Sequence, residues 1–420
     1  MKKKITILIL LFTSLISSQT RLTIDECYLK ARENYPLIKQ KDYIEKSKDY
    51  SISNIWKGYF PQVALSGQAT YQSDVISIPI SFPGINIAPL SKDQYKAVAE
   101  VNQVIYDGGI MATHAEMQKA SAEIDNQKVE TELTKLKERV NQIYFSVLLF
   151  DKQLIQTDII EKDINAGLEK LNAALINGTA TQSNVDVLKA ELLKTIQKKI
   201  ELKSSRHSYI DMLGLLINQP LDETVLLEQP YYNNYKTDVR EINRPELKLF
   251  NFQENLIDEQ RGLNLAKILP KASLFFQGGY GKPALNMLKN SFDWYYIAGA
   301  RLSWSISNLY TYDNENEILD LNKKSVEAQR EVFLLNTNLL LKQQLHEIEK
   351  LKELIAIDKQ IIEIRTSVKE VTKSQLENGI ITLNDFIREL NAEDQAKQNL
   401  AIHTIQLLLT QQNYKLTLGN

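Results

Sequence analysis

Four histidines, His114, His207, His346 and His403, and one cysteine, Cys27, are the side chains of this sequence best suited to metal binding or nucleophilic chemistry. The histidines are scattered, with no metal-ligand spacing and no Ser/His/Asp arrangement, and read as surface helix residues. Cys27 has no second cysteine to pair with and follows Asp25 and Glu26, so it reads as a buried or idle thiol rather than a lipidated one. Acid pairs such as Glu161 and Asp163 recur on charged helix faces and make no case for acid–base catalysis. "YDGG" at 106–109 lacks the glycine pattern of a phosphate loop and reads as the exit from a strand, and "GGYGKP" at 278–283 supports no more. The chain reads as a non-enzyme with no catalytic, cofactor-binding or metal site.

The chemistry that the sequence does specify is a choice of solvent. In "DWYYIAGARLSWSISNLY" at 293–310, Tyr296, Ala298, Ala300, Leu302, Trp304 and Ile306 alternate with Gly299, Arg301, Ser303, Ser305 and Ser307. This is a strand with one apolar and one polar face. Three more segments follow the same rule. Their apolar faces hold Val63, Leu65, Gly67, Ala69 and Tyr71; Ala97, Ala99, Val101, Gln103 and Ile105; and Ala272, Leu274, Phe276, Gly278 and Tyr280, with no charge among them. The opposite faces carry Gln62, Gln68, Lys96, Glu100, Asn102, Lys271, Gln277 and Arg301. The pattern alone admits two settings: a soluble sheet resting on a helical core, or a sheet between lipid and a water-filled lumen, with Leu65, Leu274, Phe276, Leu302, Trp304 and Ile306 toward lipid and Lys96, Glu100, Lys271 and Arg301 toward the lumen.

The elements that position these strands form a duplicated unit. An offset of 209 aligns Pro36, Pro61, Leu65 and Gln68 with Pro245, Pro270, Leu274 and Gln277; an offset of 201 aligns Ala97, Ala99, Asn177 and Gly178 with Ala298, Ala300, Asn378 and Gly379. Residues 19–217 and 245–420 are therefore two repeats joined by an irregular belt at 218–244. Strands are expected at about 61–72, 95–106, 270–281 and 294–307, each about the length a tilted membrane strand needs. Long helices are expected at about 111–176 and 315–377, stopped at Asn-Gly, with return helices at about 182–217 and 383–418. Apolar residues at spacings of three and four, Leu133 to Phe150 and Leu354 to Val371, predict helices packed along their length. The loop at 73–93 reads as exposed.

Lys2, Lys3 and Lys4 before an apolar run that ends at Ser17 and Ser18 read as a signal peptide over 1–18. The formal net charge of −2 becomes about −5 without those lysines, which leaves no basic excess for nucleic acid. Charged residues make up 24%, and 15 Gly with 10 Pro are few for this length, a composition of long solvated helices. Such helices are too long to fold back over so small a sheet, which favours lipid. Four strands would still leave two open edges in lipid, so the sheet must close with other copies: two chains give eight strands, three give twelve and a wider lumen.

With these segments in order, the sequence resembles the TolC-type outer-membrane efflux family over nearly its whole length. The matching stretches are "LTIDECYLKARENYPLIKQ" at 22–40, "VNQVIYDGG" at 101–109, "NVDVLKAE" at 184–191, "NGIITLNDFIRELNAE" at 378–393 and "NYKLTLG" at 413–419. The resemblance implies an α+β membrane protein, a homotrimer with a twelve-stranded barrel in the outer-membrane lipid of a Gram-negative bacterium and a helical barrel in the periplasm. It further implies a periplasmic adaptor (membrane fusion) protein docking at the hairpin tips, Gly178, Thr179, Gly379 and Ile380, and an inner-membrane pump of RND or ABC type. Asp385 holds the position of the family's constriction acid, with Arg388 where many relatives have a second acid; Asp186 and Lys189 hold the corresponding first-repeat places. Asp385 reads equally as a carboxylate favoured by a helix N-terminus. The other function class that fits the sequence is a periplasmic coiled-coil scaffold without channel activity.

Overall fold

The computed structural model describes residues 21–76, 89–231 and 241–419. The signal-peptide reading and parts of the 73–93 loop and the 218–244 belt lie outside them. The described elements run β1 (Arg21–Leu22), α1 (Ile24–Asn34), α2 (Lys39–Trp56), β2 (Gln62–Tyr71), β3 (Asp93–Tyr106), α3 (Ile110–Ile176), α4 (Gln182–Ile217), β4 (Leu226–Leu227), α5 (Pro245–Ile268), β5 (Lys271–Lys282), β6 (Asp293–Ser303), α6 (Leu309–Glu377) and α7 (Leu383–Leu418). They divide into two compact units, one from the described parts of Met1–Ile38, Glu132–Arg244 and Asn336–Asn420, the other from those of Lys39–Thr131 and Pro245–Leu335.

The first unit is helical. Val140, Tyr144 and Val147 of α3, Ile210 and Leu213 of α4 and Cys27 and Ala31 of α1 are buried in it. Burial and the neighbouring Glu26 carboxylate push the Cys27 thiol up to about 12, so it stays protonated and inert. Polar side chains tie α1 and α7 to the middle of α3. Tyr28 donates to Asn141 Oδ1, Gln412 Nε2 donates to the Tyr28 hydroxyl at 3.0 Å, and Asn141 Nδ2 donates to Asn413 Oδ1 at 2.9 Å. Arg206 reaches the carbonyls of Glu223 and Val225 and the Asp151 carboxylate, which fixes the turn before β4; β4 pairs in parallel with β1.

The second unit holds the four-stranded antiparallel sheet in the order β2-β3-β5-β6, flanked in sequence by α2, α5 and the first segments of α3 and α6. Asp107 controls the turn from β3 into α3. Its buried carboxylate accepts from the Tyr59 hydroxyl at 2.8 Å and from the backbone N–H groups of Gly109 at 2.9 Å and Met111 at 2.7 Å. Gly108, at φ 79°, passes so close to the Ala266 carbonyl that a Cβ would lie 2.6 Å from it. Asp107→Ala is expected to cost about 1–2 kcal/mol in an unfolding titration, as for other helix-start carboxylates; no change in midpoint would remove Asp107 from this role.

Five sequence expectations are corrected. β6 ends at Ser303, so Trp304 and Ile306 are not strand residues. The alternation runs on, but the Trp304 indole N–H donates to the Ile268 carbonyl at 2.9 Å and the chain turns into helix there. α6 starts at Leu309 rather than near Glu315. A bulge between Val104 and Tyr106 puts Tyr106, not Ile105, opposite Ala272. The apolar series on α6 is not packed along its length within the chain, because Ile357, Ile361, Ile364 and Val371 are exposed. His403 is a partly exposed helix residue but not an idle one: its Nδ1 lies 2.6 Å from the buried Asp358 carboxylate.

Candidate functional site

Two places answer to the sequence reading, and each lies within one unit. The first is the sheet. Register places Val63, Val101, Phe276 and Ala298 in one row, and Leu65, Ala99, Gly278 and Tyr296 in the next. Paired residues share a face, so these rows form one apolar surface. It is uncovered: Leu65 is 82%, Trp294 78% and Leu302 76% exposed, and Leu274 and Phe276 are also exposed. Aromatic rings gather at the end away from the helices, where Tyr280 packs against Phe292 and Trp294 with centroids 5.4 and 4.9 Å apart. There Lys282 approaches Asp93 at 3.9 Å, and charge begins on this face.

The opposite face brings Glu100 beside Gln277 and Lys96 beside Gln68, and places Arg301 opposite Ser273. It is less uniformly polar than the sequence reading, since Val98, Phe275 and Ile297 also lie on it by register. The Arg301 guanidinium covers the Phe275 ring at 4.9 Å, and Lys271 is exposed at the helix-side end of β5. Only Gly279 and Gly281 are buried among all residues of β2, β3, β5 and β6. Neither face rests on a core of this chain. Among the described residues, no helix is long and apolar enough to cross a membrane.

The second place is the pair of hairpin tips. Both long helices end in the same way: Thr179 N–H donates to the Ala174 carbonyl and Gly178 N–H to Leu175, while Ile380 donates to Gln375 and Gly379 to Leu376. Gly178 and Gly379, at φ 73° and 69°, supply the left-handed residue that this motif needs. Ile380 is exposed. Below the tips Ile160, Ile164, Leu168, Val185, Leu188, Leu383 and Leu390 form one apolar cluster. Lys170 of α3 reaches Glu377 of α6 at 2.6 Å.

Asp385 is the third residue of α7 and closes a capping box with Thr382, whose hydroxyl donates to its carboxylate at 2.7 Å. That hydroxyl and the Thr382 backbone N–H, with Arg388 behind them, hold the Asp385 carboxyl below the usual carboxylate range. Arg388 Nη2 lies 3.5 Å from Asp385 Oδ1, so the two charges partly compensate. Asp186 in the first repeat accepts instead from Gln182 Nε2 at 2.9 Å.

One polar cluster escaped the sequence reading. Glu393, 3% exposed, accepts from Thr366 Oγ1 at 2.7 Å and from Lys369 and Lys397, each with Nζ at 2.8 Å. Lys369 also lies 3.5 Å from Asp163, so it links α3, α6 and α7. Glu393 closes the stretch at 378–393, but nothing in the sequence distinguishes a buried glutamate from an exposed one.

No family model and no curated protein matches the sequence. Solved structures do. The outer membrane protein VceC from Vibrio cholerae superposes with a TM-score of 0.66 at 13% identity, covering 94% of both chains. The Campylobacter jejuni CmeC outer membrane channel gives 0.65 at 13% identity, over 94% of this chain and 85% of that one. The open-state MtrE outer membrane channel of Neisseria gonorrhoeae gives 0.66 at 13% identity, over 94% and 89%. The fold of this chain is that of the TolC-type outer-membrane channels.

Proposed function

We propose that this chain is the subunit of a passive exit duct in the outer membrane of a Gram-negative bacterium. In this reading three copies close a twelve-stranded barrel whose apolar face meets lipid and whose other face, with Lys96, Glu100, Lys271 and Arg301, lines a water-filled lumen. The helices extend into the periplasm. The tips at Gly178, Thr179, Gly379 and Ile380 dock on a periplasmic adaptor, and an inner-membrane pump of RND or ABC type supplies the energy. The observation that carries the reading is the sheet with two uncovered faces, one of them free of charge along its middle rows. A soluble scaffold would bury one face of such a sheet on its helices. The exposed apolar series on α6 supports the same reading, since neighbouring helices of other copies would cover it.

Purified protein is expected to need detergent, to run as a trimer and to pass ions across a planar bilayer. Asp385→Ala is expected to change closed-state conductance or its blockade by cations, with Arg388 setting how strongly cations are favoured. A detergent-free monomer with no conductance would overturn the duct; unchanged conductance and blockade in Asp385→Ala would remove the gate from Asp385.

A further inference from the structure

The sheet has three internal seams and two free edges, β2 and β6. The sequence offsets carry one hairpin's register onto the other's. Gln62 opposite Asn102 becomes Lys271 opposite Ser303, Leu65 opposite Ala99 becomes Leu274 opposite Ala300, and Gly67 opposite Ala97 becomes Phe276 opposite Ala298; all three shifted pairs are observed. The seam between the hairpins, β3 with β5, pairs Ala97 with Tyr280, Ala99 with Gly278, Glu100 with Gln277 and Val101 with Phe276. The same offsets applied to this seam lead from β6 of one copy to β2 of the next.

Resting on the duct reading, we propose that β6 receives β2 of a second copy in the register the repeat dictates: Ala298 opposite Tyr71, Ala300 opposite Ala69, Arg301 opposite Gln68 and Leu302 opposite Gly67 of that copy. Each pair then joins like faces. Ala300 with Ala69 and Leu302 with Gly67 continue the apolar surface; Arg301 with Gln68 and Ser303 with Ser66 continue the polar one. A slip of one residue would set Arg301 opposite Ala69 and reverse every side chain of the strand. A slip of two would keep the faces, and there the repeat alone decides.

A second observation fits the same register. Beside β6 lies an open cavity of about 290 Å³ lined by Leu285, Lys289, Asp293, Trp294, Tyr295 and Tyr296 among others. The proposed register sets Tyr71, the last residue of β2 of the second copy, opposite Ala298, two residues from Tyr296 at the rim of this cavity.

The register is tested by oxidation of paired cysteines in a Cys27→Ser background. Directly opposed Cβ atoms stand about 4.5–5.5 Å apart and diagonal ones about 7–8 Å, and only the first separation suits a disulfide. Ala69→Cys with Ala300→Cys is expected to give a reducible ladder ending at three chains, about tenfold faster than Gly67→Cys or Tyr71→Cys with Ala300→Cys. Gln68→Cys with Arg301→Cys, on the other face, should behave as the matched pair and serves if the first variant fails to assemble. A faster shifted pair in a conducting trimer overturns the register and leaves the duct standing. A conducting trimer in which no pair cross-links overturns the edge interface. A silent monomer with no ladder overturns the duct and the interface with it.

Discussion

Glu393→Ala is expected to destabilise the helical unit by about 3–5 kcal/mol, because removing one partner of a buried ion pair leaves the other charge uncompensated. Lys369 would lose its 2.8 Å partner in a site where Glu393 is 3% exposed, and its remaining carboxylates, Asp163 at 3.5 Å and Glu370 at 3.8 Å, are more distant. The same cluster predicts a pH dependence. Burial alone would raise the Glu393 carboxyl, but bonds from Lys369, Lys397 and Thr366 outweigh it and hold the group down to about 2. The stabilisation is therefore complete above the ordinary value of 4.5 and is lost as pH falls through about 2. Urea unfolding of the native protein and of Glu393→Gln across that window should show their difference shrinking toward acid. A difference that stays constant would mean that the carboxylate charge contributes nothing.

Ala99→Arg is expected to block assembly where Gln277→Arg does not. The two sites lie on neighbouring strands, one row apart and on opposite faces: Ala99 pairs with Leu65 and Gly278, Gln277 with Glu100 and Ile297. A cation on the lipid side of a barrel near mid-height costs about 2–4 kcal/mol, whereas the lumen side hydrates it. Trimer yield on folding into lipid vesicles is the readout. Equal yields from the two variants would mean that the apolar face does not contact lipid.

Much of what positions these sites was legible from local chemistry. Asn177-Gly178 and Asn378-Gly379 stop their helices because glycine takes the left-handed conformation there, as their spacing indicated; the Thr181 and Thr382 caps that start the next helices were seen only in the structure. Faces within the strands were legible because side-chain direction has a strict period of two. What was hidden depends on partners distant in sequence. Trp304 and Ile306 continue the alternation of β6, but the ladder to β5 ends at Ser303 and the Trp304 indole turns to the Ile268 carbonyl. His403 reads as any helix-surface histidine until Asp358, 45 residues away, is placed beside it. At Asp385 a helix-start carboxylate was legible from its place at the beginning of a return helix, whereas its capping box with Thr382 appears only in the structure and the proposed gating role depends on an assembly that one sequence does not display.

The free edges of β2 and β6 have a further consequence, one of mass action. A sheet whose outer strands are satisfied only by other copies has no complete folded state at infinite dilution. Its stability in lipid would carry a concentration term, with the closed ring varying as the third power of free subunit for a trimer. Dilution into a large excess of lipid would then melt the sheet at constant temperature while the helical unit, whose core lies within one chain, stayed folded. The cell could therefore control the amount of finished duct steeply through the rate of subunit synthesis alone.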